Sequence, residues 1–311
     1  MALNILFAGK PVDWQVYEAP LTTALAEAGV TAALSPDMPA DQVDHIIYAP
    51  NGPVQDFRPF TRLKAVHNLW AGVEEVVGNP TLTVPLARMV DADGLTQGMV
   101  EWVTGHVLRH HLGMDAHIVN PENAWAPVAP PVAADRPVTI LGLGALGSAC
   151  AAALRDLGFP VTGWARSQKA VDGVRCLAGA EGLSRALKDA QIVVLLLPQT
   201  PETTDILDAS AFALLAPGAF VINPGRGPLI DDAALIAALD AGQVAYATLD
   251  VFRIEPLPAD HPFWSHPKVT VTPHVASETR PASAARMIAD NIRRFEAGQP
   301  LLHVVDRAAG Y

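Results

Sequence analysis

Cysteine, membrane-length apolar runs and basic charge are all scarce in this sequence. Only Cys150 and Cys176 are cysteines among 311 residues, and two thiols do not build the disulfide framework of a secreted domain. No run approaches the roughly 18 apolar residues that a membrane span needs. The N-terminal residues 1–9 resemble a buried strand, without the basic flank or cleavage site of a signal peptide. We therefore expect a cytoplasmic protein that does not insert into membranes.

The charge balance excludes another group of functions. The chain has 21 Lys and Arg against 32 Asp and Glu, a net charge of −11. Such an acidic protein is not expected to bind nucleic acid or an anionic membrane surface. Half of the residues are hydrophobic, so a large core is predicted, and the length suggests about two domains. Any anionic ligand must be bound by a local site.

Short β-type segments alternate with helical ones along the chain, which predicts parallel sheets covered by helices. The predicted strands are residues 3–8, 46–48, 65–69, 81–84, 138–141, 161–164, 192–197, 220–223, 245–251 and 269–272. The predicted helices include residues 20–28, 95–112 and 280–296. Residues 121–137 contain five prolines, and taken alone this run predicts a linker between domains.

A glycine-rich motif follows the predicted strand 138–141 and opens a helix. Its sequence is Gly142-Leu143-Gly144-Ala145-Leu146-Gly147. In this strand–turn–helix context the motif predicts a dinucleotide site, because backbone and helix N-terminus can then approach a pyrophosphate. Without a nucleotide, the same motif would be a structural glycine turn.

The end of the next predicted strand distinguishes NADP from NAD. NAD sites usually carry an acidic residue there for the ribose hydroxyls. Here the segment contains Trp164, Arg166, Ser167 and Lys169 and no acid. An arginine beside a serine and a lysine suits a 2′-phosphate, which favours NADP (as NADPH) with NAD as the lesser cofactor. The alternative is that Arg166 and Lys169 are solvated loop charges.

Three polar residues follow predicted strands in the second half of the chain: Arg226, Glu255 and His274. Ligands of open α/β sheets bind at the carboxyl ends of strands, so these residues are candidates for catalysis. His106 and His110 have a metal-like spacing, but no third ligand is evident, so no metal is expected.

These segments together resemble the D-isomer-specific 2-hydroxyacid dehydrogenase family, and most closely its bacterial branch of glyoxylate and hydroxypyruvate reductases. The resemblance also rests on the segments at residues 69–74, 84–89, 95–99, 197–201 and 306–311, and it covers nearly the whole chain. It implies an α/β fold with two doubly wound parallel-sheet domains. A Rossmann cofactor domain, residues 94–281, would be inserted into a flavodoxin-like substrate domain, residues 1–93 and 282–311. The proline-rich run would then be a surface loop, and the protein a homodimer.

The resemblance also implies residue roles in reduction of a small 2-keto acid. Arg226 would bind the substrate carboxylate together with backbone N–H groups around Ala71, Gly72 and Val73. His274 would protonate the carbonyl oxygen, and Glu255 would orient its imidazole. Trp70 borders the substrate cleft of the family. Further cofactor contacts are expected from Trp164, Leu197, Pro198, Thr203, Pro224, Gly225, Asp250 and Ser277.

Other functions remain open at this point. An NAD-dependent D-lactate or other D-2-hydroxyacid dehydrogenase would share the fold, although the segment around Arg166 and Ser167 disfavours it. A dinucleotide-sensing protein-binding module is a distant alternative from a different class.

Overall fold

The computed structural model describes residues 2–310, and Met1 and Tyr311, which belong to segments interpreted above, lie outside the described residues. The chain forms two compact units. The first unit combines Met1–Leu95 with Glu278–Tyr311, and the second is Thr96–Ser277. Within residues 2–310, no helix has both the length and the apolar character needed to cross a membrane.

The strands and helices alternate as predicted. The strands are β1 (Leu3–Ala8), β2 (Ala32–Ser35), β3 (His45–Tyr48), β4 (Ala65–Asn68), β5 (Leu86–Ala87), β6 (Val138–Leu141), β7 (Val161–Ala165), β8 (Arg175–Ala178), β9 (Ile192–Leu195), β10 (Ala219–Asn223), β11 (Val244–Leu249) and β12 (Val269–Val271). The helices are α1 (Pro11–Glu27), α2 (Glu74–Val77), α3 (Gln97–His111), α4 (Asp115–Ile118), α5 (Ala145–Asp156), α6 (Gly179–Leu187), α7 (Ala209–Phe212), α8 (Asp232–Asp240) and α9 (Pro281–Glu296).

The first unit has a parallel sheet of five strands in the order β2-β1-β3-β4-β5, the flavodoxin-like order. Alternate residues of β1 enter different cores: Ile5 and Phe7 pack with α1 and α9 on one face, and Leu6 packs on the other. A sheet covered on both faces needs apolar residues at successive positions, which is why residues 3–8 form a nearly continuous hydrophobic run.

The second unit has a parallel sheet of seven strands in the order β12-β11-β10-β9-β6-β7-β8. Strands β7 and β8 lie on one side of β6, and the next strand along the chain, β9, pairs with the other side of β6. This reversal of strand order is the topological switch point of a Rossmann fold. The predicted fold class of two doubly wound parallel-sheet domains is thereby confirmed.

Several element boundaries differ from the predictions. The strand predicted at residues 81–84 is wrong, because Thr81 lies in a turn where its hydroxyl contacts Asn79 and the Phe57 N–H. Helix α1 begins at Pro11, with Pro20 inside it, rather than at residue 20. Strands β2 and β8 were missed because they lie at sheet edges and contain no fully buried residue. The proline-rich run lies within the second unit, between α4 and β6.

Candidate active site

The carboxyl ends of the second unit's parallel strands place several predicted residues at one edge of the sheet. The loops that follow β6, β7, β9, β10, β11 and β12 carry the glycine motif, Arg166, Leu197, Arg226, Asp250 and His274, respectively. All three candidate catalytic residues therefore belong to loops of one unit.

Each glycine of the motif has a distinct geometric role. Gly142 has a φ of +109°, and a β-carbon there would lie 2.5 Å from the Leu196 carbonyl oxygen. A β-carbon on Gly147 would lie 1.7 Å from the Gly142 carbonyl oxygen, so only glycine lets α5 approach the turn. Gly144 differs, since a β-carbon there would contact nothing within 4 Å. The loop is thus tight toward the protein and open at Gly144, as a pyrophosphate-binding turn requires.

Helix α5 begins directly at this turn, with Gly144 as its N-cap and no side-chain cap. The N–H groups of Ala145, Leu146 and Gly147 form its first turn, where backbone donors have no intrahelical acceptor. A helix of 12 residues adds a positive dipole end at this point. These donors suit the phosphates of a dinucleotide.

The loop after β7 exposes the residues predicted to select the cofactor. Arg166, Ser167 and Lys169 are all exposed immediately beyond β7. Trp164 differs from them, because its ring is buried and its Nε1 donates to the Gly179 carbonyl, 2.8 Å away. The indole therefore supports the loop from within the core, and a cofactor contact by Trp164 remains a prediction.

The loop after β9 is ordered by Thr203. Its Oγ1 donates to the Pro198 carbonyl at 2.7 Å and accepts from the Thr200 N–H at 2.8 Å. Leu197 is buried at the start of this loop. The structure thus shows an internal role for Thr203, in addition to its predicted cofactor contact.

The loop after β10 carries Arg226 and is braced by Asn223, a residue that the sequence analysis missed. Asn223 accepts the Gly225 N–H at 3.1 Å and donates to the Arg226 carbonyl at 2.9 Å. Pro224 lies between them, and the Arg226 guanidinium donates to the Gly225 carbonyl at 2.7 Å. Asn223 is the polar last residue of an otherwise apolar strand, and this is the sequence feature that could have indicated its supporting role.

His274 and Glu255 form the predicted pair. The Nδ1 of His274 lies 2.7 Å from Glu255 Oε2, while Glu255 Oε1 accepts the Phe252 N–H at 2.8 Å. The two side chains are 52% and 34% exposed, so the pair is accessible from solvent. Because Glu255 occupies Nδ1, the other ring nitrogen, Nε2, is the one left for a substrate.

The two partners shift each other's protonation. The hydrogen bond to Glu255 raises the pKa of His274 above its usual value, and it outweighs burial and the Arg226 charge, which act in the opposite direction. Burial acts to raise the pKa of Glu255, but the bonds from His274 and Phe252 and the nearby Arg226 charge leave it below its usual value. The pair therefore favours an imidazolium beside a carboxylate.

Asp250 holds the backbone around His274. It is fully buried, and its carboxylate accepts the N–H groups of Val275 and Ala276, each at 2.9 Å, and the Thr272 hydroxyl at 2.5 Å. The His274 N–H donates to the Asp250 carbonyl at 2.8 Å. His274 adopts a φ of +54°, an uncommon conformation for a residue with a side chain, and these bonds stabilise it.

Two further predicted parts of the site, Ser277 and residues 70–73, belong to the second and the first unit, respectively. Ser277 lies close to α3, where a β-carbon on Gly98 would be 3.3 Å from its Oγ. In the first unit, Trp70, Ala71, Gly72 and Val73 form the loop between β4 and α2, and the Trp70 side chain is exposed.

The histidines of α3 pack inside the second unit. The ring of His110 is buried against Phe220, with ring centroids 4.8 Å apart, and its Nε2 lies 2.9 Å from the Thr248 hydroxyl. The ring of His106 lies tilted against that of Trp102, with ring centroids 4.2 Å apart. The metal-like spacing of the two histidines thus corresponds to core packing.

Comparisons with known proteins identify one family. The family model of the D-isomer specific 2-hydroxyacid dehydrogenase NAD binding domain matches residues 106–276. A curated relative, glyoxylate/hydroxypyruvate reductase A of Serratia proteamaculans, is 40% identical over 318 residues, covering 99% of this chain and 100% of the relative.

Solved structures are also similar to this chain over its whole length. A D-isomer specific 2-hydroxyacid dehydrogenase of Xanthobacter autotrophicus Py2, in complex with NADPH and MES, is 39% identical with a TM-score of 0.93, and both chains are fully covered. An NADPH-dependent glyoxylate/hydroxypyruvate reductase of Sinorhizobium meliloti, in complex with NADP and sulfate, is 35% identical with a TM-score of 0.83, covering 100% of this chain and 99% of that one. The chain belongs to the D-isomer specific 2-hydroxyacid dehydrogenase family.

Proposed function

We propose that this protein is an NADPH-dependent reductase that converts small 2-keto acids, glyoxylate and hydroxypyruvate, to glycolate and glycerate. The observation that carries the proposal is the 2.7 Å contact between His274 and Glu255, at the same sheet edge as Arg226 and the glycine motif. Reduction of a keto acid requires a proton donor, a cation for the carboxylate and a site for the dinucleotide. The pair of His274 and Glu255, Arg226 and the glycine motif would supply these three groups. The names of the relatives from Serratia and Sinorhizobium support this substrate class.

The second unit is the proposed cofactor domain, assigned to residues 94–281, and the remaining residues form the proposed substrate domain. The opening at Gly144 and the free donors at the start of α5 fit a pyrophosphate. Arg166, Ser167 and Lys169 would bind the 2′-phosphate, with NAD accepted less well. When bound, NADPH supplies the hydride that reduces the carbonyl carbon.

The catalytic steps assigned to this chain concern charge and proton positions. Arg226 binds the substrate carboxylate, because a guanidinium offers a planar pair of donors and stays charged. His274, protonated with Glu255 on Nδ1, donates the Nε2 proton to the carbonyl oxygen as negative charge develops there. General acid assistance of this kind contributes roughly 10²–10⁴-fold to the rate. Glu255 keeps the ring oriented and favours its reprotonation from solvent after each turnover.

A direct assay tests the proposal. Purified protein is mixed with glyoxylate or hydroxypyruvate and either NADPH or NADH, and loss of the reduced cofactor is followed by absorbance. We expect turnover of both substrates with a clear preference for NADPH. Arg226→Lys keeps the charge but loses the planar fork, so kcat/KM should fall strongly. Absence of turnover, or a wild-type kcat/KM in Arg226→Lys, would contradict the proposal.

We also propose that the protein is a homodimer that uses residues 114–132. This segment exposes Met114, Ile118, Val119, Trp125, Val128 and Val132, and Trp125 is 97% exposed. A segment that exposes several apolar side chains, with an aromatic residue among them, is typical of an interface. Trp125→Ser combined with Ile118→Ser should give monomers in analytical ultracentrifugation. Val12→Ser, at an exposed valine of α1, serves as the control.

A further inference from the structure

Asn68, the last residue of β4, directly precedes the loop of Trp70, Ala71, Gly72 and Val73. Its side chain is buried, and its Nδ2 donates to two carbonyl oxygens, those of Trp70 and Gly72, each at 2.8 Å. Its Oδ1 accepts no hydrogen bond from the residues that the structure describes. Asn68 is therefore connected to this loop through its donor group alone.

Two further donors bind carbonyls at the start of this loop. The Met89 N–H donates to the Trp70 carbonyl at 3.1 Å. The Thr279 hydroxyl donates to the Leu69 carbonyl at 3.0 Å. The carbonyls of Leu69, Trp70 and Gly72 are thus all engaged by donors of the first unit.

The N–H groups of this loop contrast with its carbonyls. Within residues 2–310, the N–H groups of Ala71, Gly72 and Val73 donate to no protein acceptor. A backbone segment whose carbonyls are engaged by the protein presents its N–H groups for other acceptors, and successive free N–H groups form a concavity that favours anions. The hydrogen bonds from Asn68 to the carbonyls of Trp70 and Gly72 thereby orient the peptide groups that carry the Ala71 and Val73 N–H groups. The hydrogen bond from Thr279 fixes the preceding peptide group, between Leu69 and Trp70.

We infer that Asn68, supported by Thr279, is a positioning residue that holds the 70–73 loop in the conformation that binds the substrate carboxylate. This inference rests on the proposed function, since it names what shapes the carboxylate site. Neither side chain needs to touch the substrate. Asparagine suits the position because one amide nitrogen has two N–H donors and reaches two carbonyls, whereas aspartate has no donor when ionised.

The experiment compares two substitutions at Asn68 with a matched pair at Thr279. Asn68→Ala and Asn68→Asp remove the two donors, Thr279→Val removes the hydroxyl, and Thr279→Ser keeps it. The measurements are KM and kcat for glyoxylate, the inhibition constant of oxamate (an unreactive analogue of a 2-keto acid) and the Kd of NADPH. All proteins are full-length, and their thermal midpoints are recorded.

Loss of carboxylate binding should raise KM without a comparable loss of kcat. For Asn68→Ala we expect KM and the oxamate constant to rise roughly tenfold, from the loss of two hydrogen bonds. Thr279→Val should raise both by about threefold, and Thr279→Ser should restore them. The kcat and the Kd of NADPH should stay within about twofold of wild type, since no cofactor contact is involved.

Each other outcome has a definite meaning. Wild-type KM and oxamate constants in Asn68→Ala and Thr279→Val, with turnover intact, overturn the inference but leave the proposed function standing. If the Asn68 variants do not fold, the Thr279 pair decides, and equal constants for Val and Ser overturn it. A wild-type protein that reduces no 2-keto acid removes the proposed function, and this assignment with it.

Discussion

Gly227 lies against the backbone of Phe252, so that a β-carbon at position 227 would be 1.9 Å from the Phe252 carbonyl carbon and 2.4 Å from the Arg253 nitrogen. Gly227 follows Arg226, and the Phe252 N–H binds the Glu255 carboxylate. The loop that carries Arg226 and the loop that carries Glu255 are therefore in direct backbone contact. This close approach of the two loops requires glycine at position 227.

This contact predicts the effect of Gly227→Ala. Backbone atoms rather than a flexible side chain oppose the added methyl group, so the two loops must separate. A displacement of about 1 Å in a catalytic group costs on the order of 10²-fold in rate, and we expect a loss of this size in kcat/KM for glyoxylate. Gly105→Ala is the control, because the exposed Gly105 of α3 has open space around it. Wild-type kinetics in Gly227→Ala would show that the loops accommodate the methyl group.

Cofactor preference should depend on Arg166. Loss of a charge-assisted hydrogen bond to a 2′-phosphate is worth about 1.5–3 kcal/mol, so Arg166→Ala should lower kcat/KM for NADPH by roughly tenfold or more. The value for NADH should change little, because NADH has no 2′-phosphate. Arg175→Ala, at another exposed arginine of the same unit, is the control. Equal losses with both cofactors would remove Arg166 from the 2′-phosphate site.

The buried His110 should make the protein sensitive to acid. Burial lowers the pKa of His110 to about 3. The unfolded chain binds this proton below about pH 6.5, while the folded protein does not until about pH 3, so stability falls as pH decreases through that window. The loss amounts to about 1.4 kcal/mol per pH unit for each such histidine.

Measuring the urea midpoint at pH 7 and pH 5 tests this linkage. The decrease in midpoint between the two pH values should be smaller in His110→Gln than in wild type, since an amide does not titrate. Part of the decrease should persist, because burial also lowers the pKa of His67 to about 3. An unchanged decrease in His110→Gln would refute the assignment.

The sequence predicts the elements of this fold where apolar residues occupy successive or alternate positions. Residues 3–8 and 138–141 are such segments, and both form strands as predicted. The edge strand Arg175–Ala178 has no buried residue, so its pairing with β7 comes from tertiary context alone. Positions after predicted strands likewise identify Arg226, Glu255 and His274 as candidates from the sequence.

The supporting residues of the site were harder to predict. Asn68, Asn223 and Asp250 each end a strand or follow one, but their function is to bind particular backbone groups of the loops beside them. Those bonds depend on loop conformation, including the positive φ of His274. No periodicity or spacing encodes such conformations, so the hydrogen-bond partners of these residues appear only in the folded structure.

The last prediction concerns pH and the pair of His274 and Glu255. Their hydrogen bond raises the pKa of His274, so the ring stays protonated to a higher pH than an ordinary histidine. Reduction needs that proton and should decline as pH rises through the raised pKa, whereas oxidation of the hydroxy acid needs the neutral ring and should increase over the same interval. Glu255→Gln removes the charge at nearly constant size, so the alkaline limb of reduction should move to lower pH. His274→Ala should abolish that limb and lower kcat by roughly 10²-fold or more. The measurement is kcat/KM for glyoxylate from about pH 5 to 9, with Glu27→Gln, at an exposed acid of α1, as the control. An alkaline limb that stays in place in Glu255→Gln, or persists in His274→Ala, would assign the proton to another group.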